Sequence, residues 1–168
     1  MQTVLLEKRE GYALITLNRP QAMNALSREL RREFVAAFEN CKEDEATRVI
    51  ILTGNGPAFC AGFDLKELGS NNSEHAAEEV DNKLARAMEA FDGPIIGAIN
   101  GHCITGGFEM ALACDVLIAS ENARFADTHA RVGMLPGWGL SQKLPRLIGL
   151  SRAREIAFTG TPVPAQQA

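Results

Sequence analysis

Four cysteines are present, but no two form a C-x-x-C pair, and the three histidines are scattered along the chain. That spacing argues against both a zinc site and a disulfide framework. Cys103 and Cys114 lie in apolar surroundings, as expected of reduced, buried thiols in a reducing compartment. The 17 basic residues are outnumbered by 21 acidic ones, giving a formal net charge of −4, so the basic excess of a nucleic-acid binder is missing. No uninterrupted apolar run approaches membrane length. The N-terminus passes at once into the strand-like Thr3-Val4-Leu5-Leu6, without a secretory or transit pattern, so a cytoplasmic location is expected. There is neither an internal sequence repeat nor a low-complexity segment.

What is present is an ordinary globular composition, 46% hydrophobic and 23% charged, over 168 residues, which suits one domain spanning residues 1–168. Residues 4–6 and 12–17 are β-prone runs around a polar turn, a hairpin pattern. Ser27 is placed to cap a helix with Leu30, Phe34, Ala37, Phe38 and Cys41 on one face. Residues 49–53 read as a buried strand, followed by the turn Gly54-Asn55-Gly56-Pro57 and a second glycine loop, Cys60-Ala61-Gly62-Phe63-Asp64. Ala77, Val80, Leu84, Ala87, Met88 and Phe91 give another amphipathic helix, and a strand begins at Ile95. Residues 116–119 read as a strand and residues 140–148 and 151–159 as short helices, with Gly137 and Gly149 as breaks. Strands alternating with helices predict an α/β architecture, in which ligands gather where strand ends meet helix starts.

The segment Ile96 to Asp115 concentrates the chemistry. An apolar strand runs through a glycine loop into a helix with Glu109 in its first turn. Gly106 and Gly107 bare the backbone at the helix start, where unpaired N–H groups and the positive end of the helix dipole suit a developing oxyanion. Glu109 stands on an otherwise Met/Ala/Leu/Cys helix, where a charge is costly unless it has a task. A phosphate loop is disfavoured, because Gly107 and Phe108 stand where a G-x-x-x-x-G-K-[ST] motif needs Lys and a hydroxyl. Two readings remain open for this segment alone: a base beside an oxyanion site, or glycines for tight packing with an ordinary first-turn acid.

Four motifs in order carry a resemblance. They are Leu17-Asn18-Arg19-Pro20 with Met23-Asn24-Ala25-Leu26; Phe59 through Leu65; Ala98-Ile99-Asn100-Gly101 with Gly106-Gly107-Phe108-Glu109 and Cys114-Asp115; and Phe125 through Gly133 with Leu135-Pro136-Gly137. Together they resemble the crotonase superfamily, the enoyl-CoA hydratase/isomerase family. The resemblance implies a spiral of ββα units that binds an acyl-CoA thioester, with coenzyme A as part of the substrate and no separate cofactor or metal. It implies an oxyanion hole from the backbone N–H groups of Phe63 and Gly106. It brings the stretch Ala61, Gly62, Asp64, Leu65 and Lys66 up to the CoA and makes Glu109 a catalytic acid–base. A homotrimer or dimer of trimers is the implied assembly, with neither nucleic acid nor membrane as partner.

The sequence departs from that pattern at the second acid. His129 stands where two-glutamate hydratases carry their second Glu, and an imidazole with an unperturbed pKa of about 6.5 is suited to delivering a proton to C2 or simply to lining the pocket. Asp127, two residues before His129, is a nearby candidate for the second acid but at a loop position reads as a turn or surface acid; His75 reads as solvated, His102 as support for the glycine loop, and Asp115 as a structural brace. Trp138, the single tryptophan, is a candidate wall of the acyl pocket or a core residue. Family members continue into C-terminal helical segments, whereas this chain stops at Gln166-Gln167-Ala168 as another helix is beginning, so the C-terminal helical part is expected to be missing. The expected activity is hydration of a 2-enoyl-CoA in fatty-acid or related acyl-CoA degradation. The alternatives are isomerase or other enolate chemistry through Glu109 alone, and a non-catalytic acyl-CoA-binding or assembly protein.

Overall fold

The computed structural model of the chain describes residues 2–68 and 82–168. Strands β1 (Val4–Arg9) and β2 (Tyr12–Leu17) form the expected antiparallel hairpin, with Arg9 opposite Tyr12. Alternation along β2 sends Ala13, Ile15 and Leu17 inward, all fully buried. The helix Arg28–Lys42 then covers the sheet with Leu30, Phe34, Ala37, Phe38 and Cys41, and Ser27 caps it by accepting a hydrogen bond from the Leu30 N–H at 3.2 Å.

Three strand–strand–helix units follow. The first has β3 (Val49–Gly54), β4 (Ala58–Cys60) and a turn of helix at Leu65–Leu68. The second has β5 (Ile95–Ile99), β6 (His102–Ile104) and the helix Gly106–Ala113. The third has β7 (Val116–Ala119), β8 (Arg124–Ala126) and the helix His129–Val132. First strands join one sheet, ordered β1-β2-β3-β5-β7 and parallel from β2 onward. Second strands stack as the parallel set β4-β6-β8, closed by the antiparallel β9 (Val163–Pro164). Each unit therefore adds one strand to each of two sheets and advances by one strand spacing, about 4.8 Å. This is the ββα spiral: the units are alike in topology without being alike in sequence.

The spiral explains how distant residues meet. Phe63, Gly106 and His129 each fall two or three residues beyond the carboxyl end of β4, β6 and β8, so successive turns stack their three loops along one sheet edge. Backbone contact between turns needs a bare glycine at 107, where a Cβ would come within 2.1 Å of the Cys60 carbonyl oxygen.

Residues 102–104, which the sequence leaves inside the glycine loop, are a strand because they pair with β4 on one side and β8 on the other. Of the amphipathic pattern before Ile95, Ala77 and Val80 lie outside the described residues, as does His75. Its remainder is the helix Lys83–Glu89, with Leu84 and Met88 buried. The helices Leu140–Ile148 and Leu150–Thr159 stand where the sequence predicts them. Past β9, the N–H groups of Gln167 and Ala168 donate to the Pro164 carbonyl at 2.9 and 3.2 Å, a turn of helical character. Asp115 is the expected brace, its Oδ2 accepting from the Ile95 N–H at 2.8 Å. All four cysteines are free thiols; Cys103 is buried as expected whereas Cys114 is only half-buried, and burial pushes the Cys60 and Cys114 thiols up to about 12. Among the described residues, no helix is long and apolar enough to cross a membrane.

Candidate active site

The loop after β4 leaves one amide open. Ala61 N–H donates to the Met23 carbonyl at 3.0 Å and Gly62 N–H reaches the Cys60 Sγ at 3.4 Å, whereas the Phe63 N–H has no acceptor among the described residues. The Leu26–Phe63 bridge and the 2.8 Å bond from Leu26 N–H to the Gly62 carbonyl hold the loop in place. Behind it, the fully buried Asn24 accepts from Arg19 N–H at 2.7 Å and donates to the Ala58 carbonyl at 2.8 Å. Gly62, at φ +86°, lets this loop touch the next turn of the spiral, since a Cβ there would sit 3.2 Å from the Gly106 nitrogen.

The loop after β6 is set by a strained residue. Thr105 has φ +53° and ψ −110°, a conformation that costs a β-branched side chain about 1–3 kcal/mol. Its neighbours hold it there. Thr105 N–H donates to the Ala126 carbonyl at 2.8 Å, the Thr105 carbonyl accepts from Glu109 N–H at 2.9 Å, and Thr105 Oγ1 bonds the Thr128 hydroxyl and accepts from Thr128 N–H at 3.2 Å. The chain thereby enters the Gly106–Ala113 helix with the Gly106 N–H at its start, buried and with no acceptor among the described residues. A Cβ at 106 would meet only ordinary contacts, with Gly62, Trp138 and Leu26 at 3.5–3.6 Å, so close packing alone does not demand glycine there.

Glu109 projects from the first turn of that helix and is 1% exposed. Its two oxygens are differently employed. Oε1 accepts from the backbone N–H groups of Trp138 at 2.7 Å and Leu140 at 3.2 Å, donors that precede and open the Leu140–Ile148 helix. Oε2 faces His129 Nε2 at 3.5 Å.

On the other side of the imidazole, Nδ1 lies 2.7 Å from Asp127 Oδ1, which also accepts from the His129 backbone N–H at 3.1 Å. The reading of Asp127 as a turn or surface acid is half corrected. It does make a local turn, but it is 3% exposed and its carboxylate engages the ring. Burial acts to lower the pKa of His129. The hydrogen bonds to Asp127 and then Glu109, with their charges, outweigh it and lift His129 to about 9. The Asp127 and Glu109 carboxyl groups thus sit one on each side of the imidazole, and both favour its protonated form.

Two clefts flank this group. One, of about 350 Å³, is mostly apolar and is lined by Asp127, His129, Leu135, Leu140, Leu144 and Phe158 among others. The other, of about 380 Å³, is lined by Arg19, Ala61, Phe63, Asp64, Leu65 and Lys66, together with Thr105 and Thr128. Met134 borders both.

The stretch expected near CoA is thus gathered on one cleft, except that Gly62 serves loop contact. Asp64 is already engaged, paired with Arg19 at 2.8 Å and accepting from Lys66 N–H at 3.1 Å. Burial acts to raise its pKa, but the Arg19 hydrogen bond and charge hold it below the usual carboxylate value. Trp138 lines neither cleft. It is 7% exposed, with its ring 5.2 Å from that of Phe63 and its backbone holding Glu109. His102 lies in β6 with an exposed side chain, and no cluster of metal-ligating residues exists among the described residues.

The sequence reading missed the ring-facing role of Asp127 and the two amides that seat Glu109. An Asp-x-His spacing signals an Asx turn to the backbone N–H but not the ring contact. The two amides leave no side-chain signal at all.

Parallel second strands ending in an open-amide loop, a glycine-led helix with an inward glutamate and a neighbouring loop bearing Asp127 and His129 define a crotonase-like α/β protein. Residues 7–168 match the family described as enoyl-CoA hydratase/isomerase, and the chain belongs to that family. It is 47% identical over 158 residues to the probable peroxisomal enoyl-CoA hydratase 1 of Arabidopsis thaliana, covering 94% of this chain and 59% of that protein. It is 36% identical to the short-chain-enoyl-CoA hydratase of Clostridium acetobutylicum, covering 100% of this chain and 66% of that one. The crystal structure of an enoyl-CoA hydratase from Mycobacterium tuberculosis H37Rv superposes with a TM-score of 0.88 at 48% identity, over 98% of this chain and 69% of the other. The chain thus spans 59% and 66% of the length of these two curated relatives.

Proposed function

We propose that this chain carries the acyl-CoA-binding and acid–base core of an enoyl-CoA hydratase, adding water across C2=C3 of a 2-enoyl-CoA. The observation that carries this reading is the Glu109–His129 pair: one glutamate oxygen anchored by two amides, the other 3.5 Å from the His129 Nε2. The thioester oxygen accepts from the Phe63 and Gly106 N–H groups. Glu109 Oε2 takes a proton from water as the water oxygen bonds to C3, and the C2=C3 electrons move into the thioester enolate. His129 Nε2 gives its proton to C2 as the enolate collapses. The proton on Glu109 then passes to the neutral His129, and the pair returns to its starting state with one water added.

The cleft bearing Arg19 and Lys66 suits the polar CoA arm, with Ala61 and Leu65 beside it, and the apolar cleft beyond His129 suits the acyl chain. Trp138 acts from behind, packing Phe63 and seating Glu109. No resident cofactor or metal enters the scheme. The reaction belongs with fatty-acid or related acyl-CoA degradation of the β-oxidation type. Free, buried thiols favour a reducing compartment such as the cytoplasm, although the Arabidopsis relative is named peroxisomal. Exposed Val116, Ile118 and Leu147 supply apolar surface of the kind that assembly into a homotrimer or dimer of trimers buries. Product analysis tests the function. Crotonyl-CoA is expected to yield 3-hydroxybutyryl-CoA, and a 3-enoyl-CoA to remain unisomerised. Isomerisation of the 3-enoyl-CoA without hydration would replace this reading with single-glutamate enolate chemistry, and inertness towards both would favour the non-catalytic binder.

A further inference from the structure

We propose that Asp127 is a positioning residue for the acid–base pair: through Nδ1 it fixes the His129 ring so that Nε2 carries a proton towards Glu109. This rests on the hydratase reading of Glu109 and His129 and adds a third member that the sequence reading had assigned to a turn.

The simpler account of Asp127 is a cap on the four-residue helix His129–Val132, in which its carboxylate would serve only the His129 backbone N–H. Three observations go beyond that. The ring contact at 2.7 Å is shorter than the backbone contact at 3.1 Å, so the imidazole is the closer partner. Asp127 is 3% exposed, and a cap on a single helical turn does not warrant burying a carboxylate. The two ring nitrogens are also shared between two acids on different turns of the spiral, Asp127 following β8 and Glu109 following β6. An imidazole tethered by Nδ1 has only Nε2 left to offer, and that atom already faces Glu109.

The charged groups facing His129 are Asp127 from its own loop and Glu109 from the Gly106–Ala113 helix. Arg154, from the Leu150–Thr159 helix, borders the same cleft. Both direct partners are acids, so removing either weakens the hold on the ring proton. Removing Asp127 does so without touching Glu109, water or thioester.

The test reads the ring directly in the resting protein. Nitrogen-15 NMR of the three histidine rings, with His129 assigned by its loss in His129→Gln, is expected to show both His129 nitrogens protonated to well above pH 7, with a midpoint near 9. In Asp127→Asn the midpoint is expected to fall by about one unit or more. The alkaline limb of kcat for crotonyl-CoA should move down with it while KM changes little. A wild-type His129 titrating near 6.5, or a midpoint unmoved in folded Asp127→Asn, overturns the proposal. The wild-type spectrum decides even if the variant does not fold. Because that spectrum needs no turnover, a chain that fails to hydrate crotonyl-CoA would refute the hydratase reading while the role of Asp127 is judged separately.

Discussion

Glu109 and Trp138, 29 residues apart, are joined by a 2.7 Å hydrogen bond from the Trp138 backbone N–H to Oε1 of the carboxylate. The bond pins one end of a buried acid to the segment leading into the next helix and leaves the other end to face His129. A second donor, Leu140 N–H at 3.2 Å, reaches the same oxygen. A carboxylate so held keeps its orientation without needing solvent.

Glu109→Gln preserves size but removes the charge and the proton-accepting oxygen. Hydration of crotonyl-CoA should fall by about 10²–10⁴ in kcat, with acyl-CoA binding changed far less. Steady-state kinetics and calorimetric binding of a saturated acyl-CoA measure the two quantities. Turnover unchanged at saturating substrate would remove Glu109 from the chemistry.

Stability should depend on pH through His129. Its folded pKa is raised from 6.5 to about 9, so its contribution is complete below about pH 6.5 and is lost as pH rises through about 9. The loss is on the order of 2–3 kcal/mol. Urea unfolding at pH 6.5 and pH 10 measures it, with His129→Gln as the reference for other titrating groups. A wild-type decrease no larger than that of the variant would contradict the ion-pair account.

Strain at Thr105 reverses the ordinary ranking of small residues. Glycine in place of alanine at an ordinary position costs stability, but at φ +53° alanine keeps the strain and glycine relieves it. Thr105→Gly should therefore be the more stable variant, by about 1 kcal/mol, although both lose the bonds to Thr128. Thermal melts of the two proteins provide the comparison. Greater stability for Thr105→Ala would mean that the backbone there is not under strain.

Elements with a pattern of their own were legible in the sequence, and the three-residue strands were not. The Arg28–Lys42 helix announced itself through Leu30, Phe34, Ala37, Phe38 and Cys41, and β2 through its alternation. β4, β6 and β8 are three residues each, too short for a period-two pattern, and they exist because the spiral pairs them with one another. Glu109 was legible because a charge on an apolar helix stands out. Its seat was not, because Trp138 and Leu140 contribute backbone amides, which every residue except proline possesses. Asp127 was legible only as a turn former. Its burial accompanies packing of the third unit's helix against the Leu150–Thr159 helix, a tertiary fact absent from the local pattern.

The central claim is that His129 supplies the C2 proton opposite Glu109, and the pH–rate profile of crotonyl-CoA hydration tests it most directly. Wild-type kcat should hold through neutrality and fall as pH rises through about 9, where the imidazole loses its proton. His129→Gln should be slower by about 10²-fold and lack that limb, while acyl-CoA binding is retained. A His129→Gln enzyme with unchanged rate and unchanged profile would contradict the account and leave His129 as a wall of the pocket.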